Sequence, residues 1–196
     1  MMRRKIFASL IAITIIISLG RISSLAQFAP QAVMLIAPQN FQDQELLVTK
    51  QVLEQGGVKV TVASTQAVCR GMEGAHVKPD LLLKEVKVED YDAVIFVGGS
   101  GASVYFDDPL ALALARQAAA QNKVVAAICI APVTMARAGL LKGKQATVYP
   151  SAQSDLEKAG ATYTGALVTV DGKLVTASGP PAAKAFGQAI LTQLQK

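Results

Sequence analysis

Histidine is almost absent from this chain of 196 residues: His76 stands alone, in the stretch Gly71-Met72-Glu73-Gly74-Ala75-His76. Cys69 and His76 are at most two soft ligands where a zinc site wants three or four, so no metal and no cofactor is expected. Cysteine is nearly as scarce, with Cys69 and Cys129 only. The two could form one disulfide in an oxidising compartment. No cysteine follows Leu19-Gly20, which leaves no thiol for lipid attachment. Repeats, heptads and low-complexity tracts are missing as well. The excess of positive charge is not what it appears. Of 19 basic residues, Arg3, Arg4, Lys5 and Arg21 precede position 26, and the remaining 15 face 14 acidic ones. The basic balance is therefore no argument for nucleic acid or an anionic membrane surface as a partner.

What stands at the N-terminus explains that charge. Met-Met-Arg3-Arg4-Lys5 leads into an apolar run from Ile6 to Leu19, and Ser24-Leu25-Ala26 has the small-x-small form of a signal-peptidase site. The run is shorter than the roughly 20 residues that span a bilayer. Residues 1–26 are read as a cleaved signal peptide, with an uncleaved anchor as the alternative, and 27–196 as one domain. The expected compartment is the periplasm, or the outer side of a single membrane, with no membrane partner after cleavage.

The remaining 170 residues alternate strand and helix patterns. Ala32 to Ala37 is an unbroken apolar run of the kind buried on both faces of a sheet. Asp43 to Gln55 is helical in composition and stops at Gly56-Gly57, and Val58 to Val62 alternates with period two. Gly71 to Asp80 reads as a loop or hairpin. Tyr91 to Val97 is a second buried strand ending at Gly98-Gly99-Ser100-Gly101, Asp108-Pro109 opens an alanine-rich helix to about Gln121, and Val124 to Ile128 is a third buried strand. Pro132 restarts the chain as a helix up to Gly139. Ser151 or Ser154 can cap a short helix ending near Gly160. Val168 to Thr176 is a hairpin around Asp171-Gly172. Ala183, Phe186, Ile190 and Leu194 give the last helix one apolar stripe. Together these predict an α/β sandwich: a mostly parallel sheet with helices on both faces.

In such a sheet, sites form at the carboxyl ends of central strands. Cys129 sits at one of these ends, at the start of a helix, where the positive end of the dipole favours thiolate. The N–H groups of Gly99 and Ile130 would stabilise an oxyanion beside the sulfur. An inert buried cysteine in a continuous strand fits the same run of residues.

Strand-Gly98-Gly99, the Ala127-Ile128-Cys129-x-x-Pro132 elbow, Asn40-Phe41-Gln42-Asp43-Gln44-Glu45-Leu46 and Ser178-Gly179-Pro180 occur in an order that resembles the PfpI/ThiJ family. The resemblance spans essentially all of 27–196. It implies a glutamine amidotransferase-like sandwich, Cys129 as the elbow nucleophile, and a homodimer. The family includes cysteine peptidases, stress chaperones and a protein deglycase. Two departures qualify it. Peptidase-like members carry His after the cysteine, where this chain has Ile130, so no Cys-His triad can be assembled there. Members often place Glu where this chain has Gln42; that carboxyl is thought to lie protonated beside the sulfur. Gln42 would then hydrogen-bond the thiolate without exchanging protons, while Asp43 and Glu45 are expected as solvated charges at a helix start. His76 would act as a base only if its loop folded over Cys129. Cys69 reads as a structural thiol. Two functions remain open: glyoxalase, deglycase or weak hydrolase chemistry on small carbonyl compounds, and a non-catalytic stress, redox or chaperone role for an oxidisable Cys129.

Overall fold

A computed structural model describes residues 29–196; the leader assigned to 1–26 lies outside them. In chain order the elements are β1 (Gln31–Leu35), β2 (Gln39–Phe41), α1 (Asp43–Gln55), β3 (Lys59–Ser64), β4 (Cys69–Gly71), β5 (His76–Val77), β6 (Leu81–Leu82), β7 (Ala93–Phe96) and α2 (Pro109–Ala120). Then follow β8 (Val124–Ile128), α3 (Pro132–Arg137), β9 (Gln145–Ala146), α4 (Gln153–Lys158), β10 (Thr162–Tyr163), β11 (Val168–Asp171), β12 (Leu174–Ala177) and α5 (Ala183–Leu194).

Seven strands form the central sheet in the order β11-β12-β8-β7-β1-β3-β6, parallel throughout except for β11, which closes the Asp171-Gly172 hairpin against β12. Strand alternation divides the interior into two layers. Val33, Leu35, Val94, Phe96, Val125 and Ala127 point to one face and meet Ala111, Leu114, Ala115 and Ala118 of α2 and Leu156 of α4. Ala32, Met34, Ala93, Ile95, Val124, Ala126 and Ile128 point to the other, under Leu46 and Leu53 of α1 and Ala183, Phe186 and Ile190 of α5. The architecture is a three-layer α/β sandwich. On the second face α1 and α5 pack directly, and Gly187 lets them close: a Cβ there would come within 2.9 Å of Val52.

Most boundaries agree with the pattern reading, and the differences have local causes. The helix after Pro150 has Ala152 at its N-cap with no side-chain bond, so neither Ser151 nor Ser154 caps it. Its entry is a 3-10 turn, Pro150–Ala152, which satisfies the first groups through the main chain. Gly71 to Asp80 contains a true hairpin, β4 with β5 antiparallel, and β2 joins it on the other side to make a small separate sheet.

Candidate active site

β1 pairs with β3 on one side and with β7 on the other, so the chain reverses its order across the sheet at β1. The loops leaving β7 and β8 part beside this point, and they carry Gly98-Gly99 and Cys129. Backbone conformation aims both. Cys129 has φ 62°, in the left-handed region that costs a non-glycine residue on the order of 1–3 kcal/mol unless its surroundings hold it. They do: its N–H donates to the Ala177 carbonyl at 2.9 Å and its carbonyl accepts from the Tyr149 N–H at 2.8 Å. Gly98 must lack a side chain, because a Cβ would overlap the Cys129 Cβ and the Glu45 carboxyl. Gly99, at φ 96°, packs against the main chain of Asn40–Gln42.

Around the sulfur the N–H groups of Gly99 and Ile130 both point inward as donors. The third neighbour is a carboxyl, and it belongs to Glu45. This side chain is fully buried; its Oε2 accepts from the Gly98 N–H at 2.9 Å, and it lies in contact with Cys129. Its Oε1 has no conventional partner. Burial pushes the Glu45 carboxyl up to about 7, against the lowering effect of the Gly98 and Cys129 contacts.

The assignment of the sulfur's partner to Gln42 is therefore corrected. Gln42 lines the cleft, but its amide is spent elsewhere: Oε1 caps α1 by accepting from the Glu45 N–H at 3.0 Å, and Nε2 donates to Glu73 Oε1 at 2.7 Å. The expectation that Asp43 and Glu45 are solvated also fails. Asp43 is buried and accepts from the N–H groups of Glu73 and Ala75 at 2.9 and 2.7 Å. A sequence signal for Glu45 existed: with Thr49 and Leu53 it falls on one face at spacing four, the stripe that α1 buries.

The thiol of Cys129 is pushed up to about 11, first by burial and next by charge on Glu45. This opposes the lowering expected from the helix start, for which α3, only six residues long, supplies little dipole. The two groups are coupled, since charge on either disfavours charge on the other. Above about 7 the pair holds one negative charge and one proton, and the carboxyl is the first of the two to ionise. The thiol then donates to Glu45, and transfer of its proton to the carboxylate would leave a thiolate facing two N–H donors.

His76 is exposed on β5 and does not line the cleft. Its hairpin does reach the cleft, through Met72. Ile130, Tyr149, Ser100, Ser151 and Pro180 complete the walls of a space of about 480 Å³, and of these only Ile130 had been singled out as a site residue. Among the described residues no group of three metal-binding side chains occurs.

The sequence profile of the DJ-1/PfpI family matches residues 30–193. The chain belongs to the DJ-1/PfpI family. Relatives agree over most of their length: an uncharacterised protein of Methanocaldococcus jannaschii is 41% identical over 170 residues, 85% of this chain and 83% of that one. A protein named as a deglycase, from Pyrococcus abyssi, is 32% identical over 149 residues, 76% of this chain and 90% of its own. The crystal structure of a ThiJ/PfpI domain protein from Brachyspira murdochii superposes with a TM-score of 0.82 at 34% identity, covering 84% of this chain and 96% of that one. In this DJ-1/PfpI member the carboxyl beside the Cys129 thiol belongs to Glu45, three residues beyond Gln42.

Proposed function

We propose that this protein is a cysteine-dependent enzyme of the glyoxalase or deglycase type, acting on small carbonyl compounds. The observation that carries the proposal is the buried Glu45 carboxyl against the Cys129 thiol, with the Gly99 and Ile130 N–H groups at the sulfur. For a 2-oxoaldehyde the chemistry runs as follows. The thiolate attacks the aldehyde carbon, a C–S bond forms, and the carbonyl π pair moves to oxygen. The Glu45 proton goes to that alkoxide, giving a hemithioacetal and leaving a carboxylate beside the former aldehyde C–H. The carboxylate takes this proton and returns it at the neighbouring ketone carbon, while the hemithioacetal hydroxyl proton passes to the former ketone oxygen. The product is a 2-hydroxy thioester, which water cleaves to the 2-hydroxy acid and free thiol. No outside oxidant is used, because one carbon is oxidised as its neighbour is reduced.

The direct test is lactate formation from methylglyoxal by the protein beginning at residue 27. Cys129→Ser should abolish it, since a hydroxyl is a far weaker nucleophile without a strong base. Turnover that survives this substitution would sink the proposal. A second reading has support from the same geometry: the two N–H donors and a protonated Glu45 would also hold a singly oxidised sulfur, as a stress or redox sensor requires. Mass spectrometry after peroxide, with selective oxygen addition at Cys129 and no aldehyde turnover, would favour it.

The proposal includes export and a homodimer. Residues 1–26 support export by their sequence, and among the described residues no helix is long and apolar enough to cross a membrane. N-terminal sequencing of protein from the cell envelope should begin at Gln27, and light scattering should give twice the chain mass.

A further inference from the structure

The tip of the β4–β5 hairpin is fixed to the start of α1 more firmly than a surface turn needs to be. The Met72 N–H donates to the Phe41 carbonyl at 2.9 Å, and the Gly71 N–H to the Ala75 carbonyl at 2.8 Å. Asp43, 4% exposed, accepts from the Glu73 and Ala75 N–H groups, and Gln42 Nε2 donates to Glu73 at 2.7 Å. Gly71 has no room for a side chain, because a Cβ would overlap the Asp43 carboxyl. A well-held backbone thus presents an apolar side chain that is itself 54% exposed: Met72, on the wall of the Cys129 cleft. Ile130, Tyr149 and Pro180 line the same cleft, and none of the residues around it carries a charge apart from the ionisable Cys129 itself. The ionisable groups just behind this lining are acidic: Glu45 against Cys129, and Glu73 bonded to Gln42.

We propose that Met72, set in place by Asp43, is a specificity-determining residue, and that the cleft takes uncharged 2-oxoaldehydes bearing an apolar or aryl substituent in preference to small or anionic ones. The substrate class rests on the carbonyl chemistry proposed above. Methionine suits the task because its thioether is unbranched and polarizable, adapts to apolar shapes and contacts aromatic edges favourably. An anionic substituent would lose hydration without meeting a cation and would lie near Glu73. Asp43 is a positioning residue: it touches the hairpin and not the substrate.

Alkylation of Cys129 tests the wall without requiring turnover. Iodoacetamide, N-benzyliodoacetamide and iodoacetate each form the same C–S bond and release iodide, so their rates at Cys129, normalised to a free thiol, report the substituent alone. The benzyl reagent should exceed iodoacetamide by about tenfold, the gain expected for burying much of a phenyl ring, and iodoacetate should be the slowest. Met72→Ala should bring the benzyl-to-iodoacetamide ratio down towards that of the free thiol, and Met72→Leu should largely keep it. Asp43→Asn, which replaces one accepting oxygen with a donor, should lower the same ratio; a loss of stability alone would slow both reagents together. A wild-type ratio equal to that of the free thiol, or one that Met72→Ala leaves unchanged, overturns the proposal. Turnover separates the two levels. Phenylglyoxal should exceed methylglyoxal in kcat/KM; equal kcat/KM with no benzyl preference overturns the apolar wall and leaves the carbonyl chemistry standing. A benzyl preference lost in Met72→Ala, with neither aldehyde turned over, supports the wall and defeats the enzyme.

Discussion

Two buried thiols sit in one domain, and only one of them has been given anything to do. Cys69, on the short strand β4, is fully buried; its Sγ donates to the Gln66 carbonyl at 3.6 Å, and burial pushes its thiol up. Cys129 is almost as enclosed, at 8% exposure, and burial pushes it up as well. Burial therefore does not distinguish an inert cysteine from a reactive one. The difference lies in what the elbow brings: a left-handed residue that turns the sulfur into a cleft, two N–H donors, and a carboxyl that is itself unwilling to ionise. Neither cysteine is paired, so both stand as thiols for comparison.

Removing the carboxyl should push Cys129 furthest towards Cys69. Glu45→Gln keeps the shape and an acceptor for the Gly98 N–H, but cannot transfer a proton. Aldehyde turnover should fall by roughly 10²–10⁴-fold, the usual worth of general acid–base catalysis. The apparent pKa of thiolate formation, followed by ultraviolet absorbance, should fall from about 11, because the Glu45 charge that helps to raise it is gone. Turnover within a few-fold of wild type would show that Glu45 only fills space.

The direct comparison of the thiols comes next in size. Iodoacetamide should modify Cys129 at least about 100-fold faster than Cys69 in the folded protein, because only Cys129 opens on a cleft with a carboxyl at hand to take its proton. Peptide mapping after timed quenching measures it. Equal rates, both following an ordinary thiol pH profile, would remove the elbow assignment. Intact mass should also show no disulfide.

Much of this contrast was legible beforehand. Asp43–Gln55 and Val124–Ile128 were bounded correctly because composition, caps and apolar runs agreed there, and Gly98-Gly99 and Cys129 were located by strand ends alone. Glu45 was passed over because a glutamate in a first turn normally serves the helix dipole from solvent. Its role depends on α1 packing on α5 and on the approach of Gly98, contacts separated by 53 residues or more in sequence. Met72 and Tyr149 were illegible for the same reason: each reaches the cleft through a loop whose path is set by long-range bonds, Met72 to Phe41 and Tyr149 to Cys129.

The carboxyl that makes Cys129 different should also be a stability burden. Glu45 has a folded value near 7 against 4.5 unfolded, so the native pair holds an extra proton between those values. The Glu45 contribution to native stability is then fullest below pH 4.5 and is lost as pH rises through 7. The cost reaches about 3 kcal/mol, from a shift of some two and a half pKa units. The same count holds whichever of the two groups keeps the remaining proton. Glu45→Gln should thus match wild type near pH 4.5 and be more stable by up to about 3 kcal/mol at pH 8, in urea melts at each pH. A constant difference across this range would mean that the carboxyl is not strained by burial.

The smallest effect concerns Gln42, whose Oε1 accepts from the Glu45 N–H and so touches the Cys129 surroundings at one remove. Gln42→Ala removes the cap on the Glu45 N–H and the bond to Glu73, and should cost about 1 kcal/mol in urea melts. Gln42→Glu is the sharper case. Were position 42 the family's carboxyl site, restoring Glu would raise turnover. The structure gives the opposite expectation: a carboxylate here would face Glu73 at the 2.7 Å distance now bridged by an amide N–H, and like charges would push the hairpin off α1. Turnover of Gln42→Glu should therefore fall slightly or stay level, and the loss should be smaller at 0.5 M salt than at 0.05 M, since this pair is partly exposed to screening. A gain of tenfold or more would return the proton-transfer role to position 42 and leave Glu45 as a buried spectator.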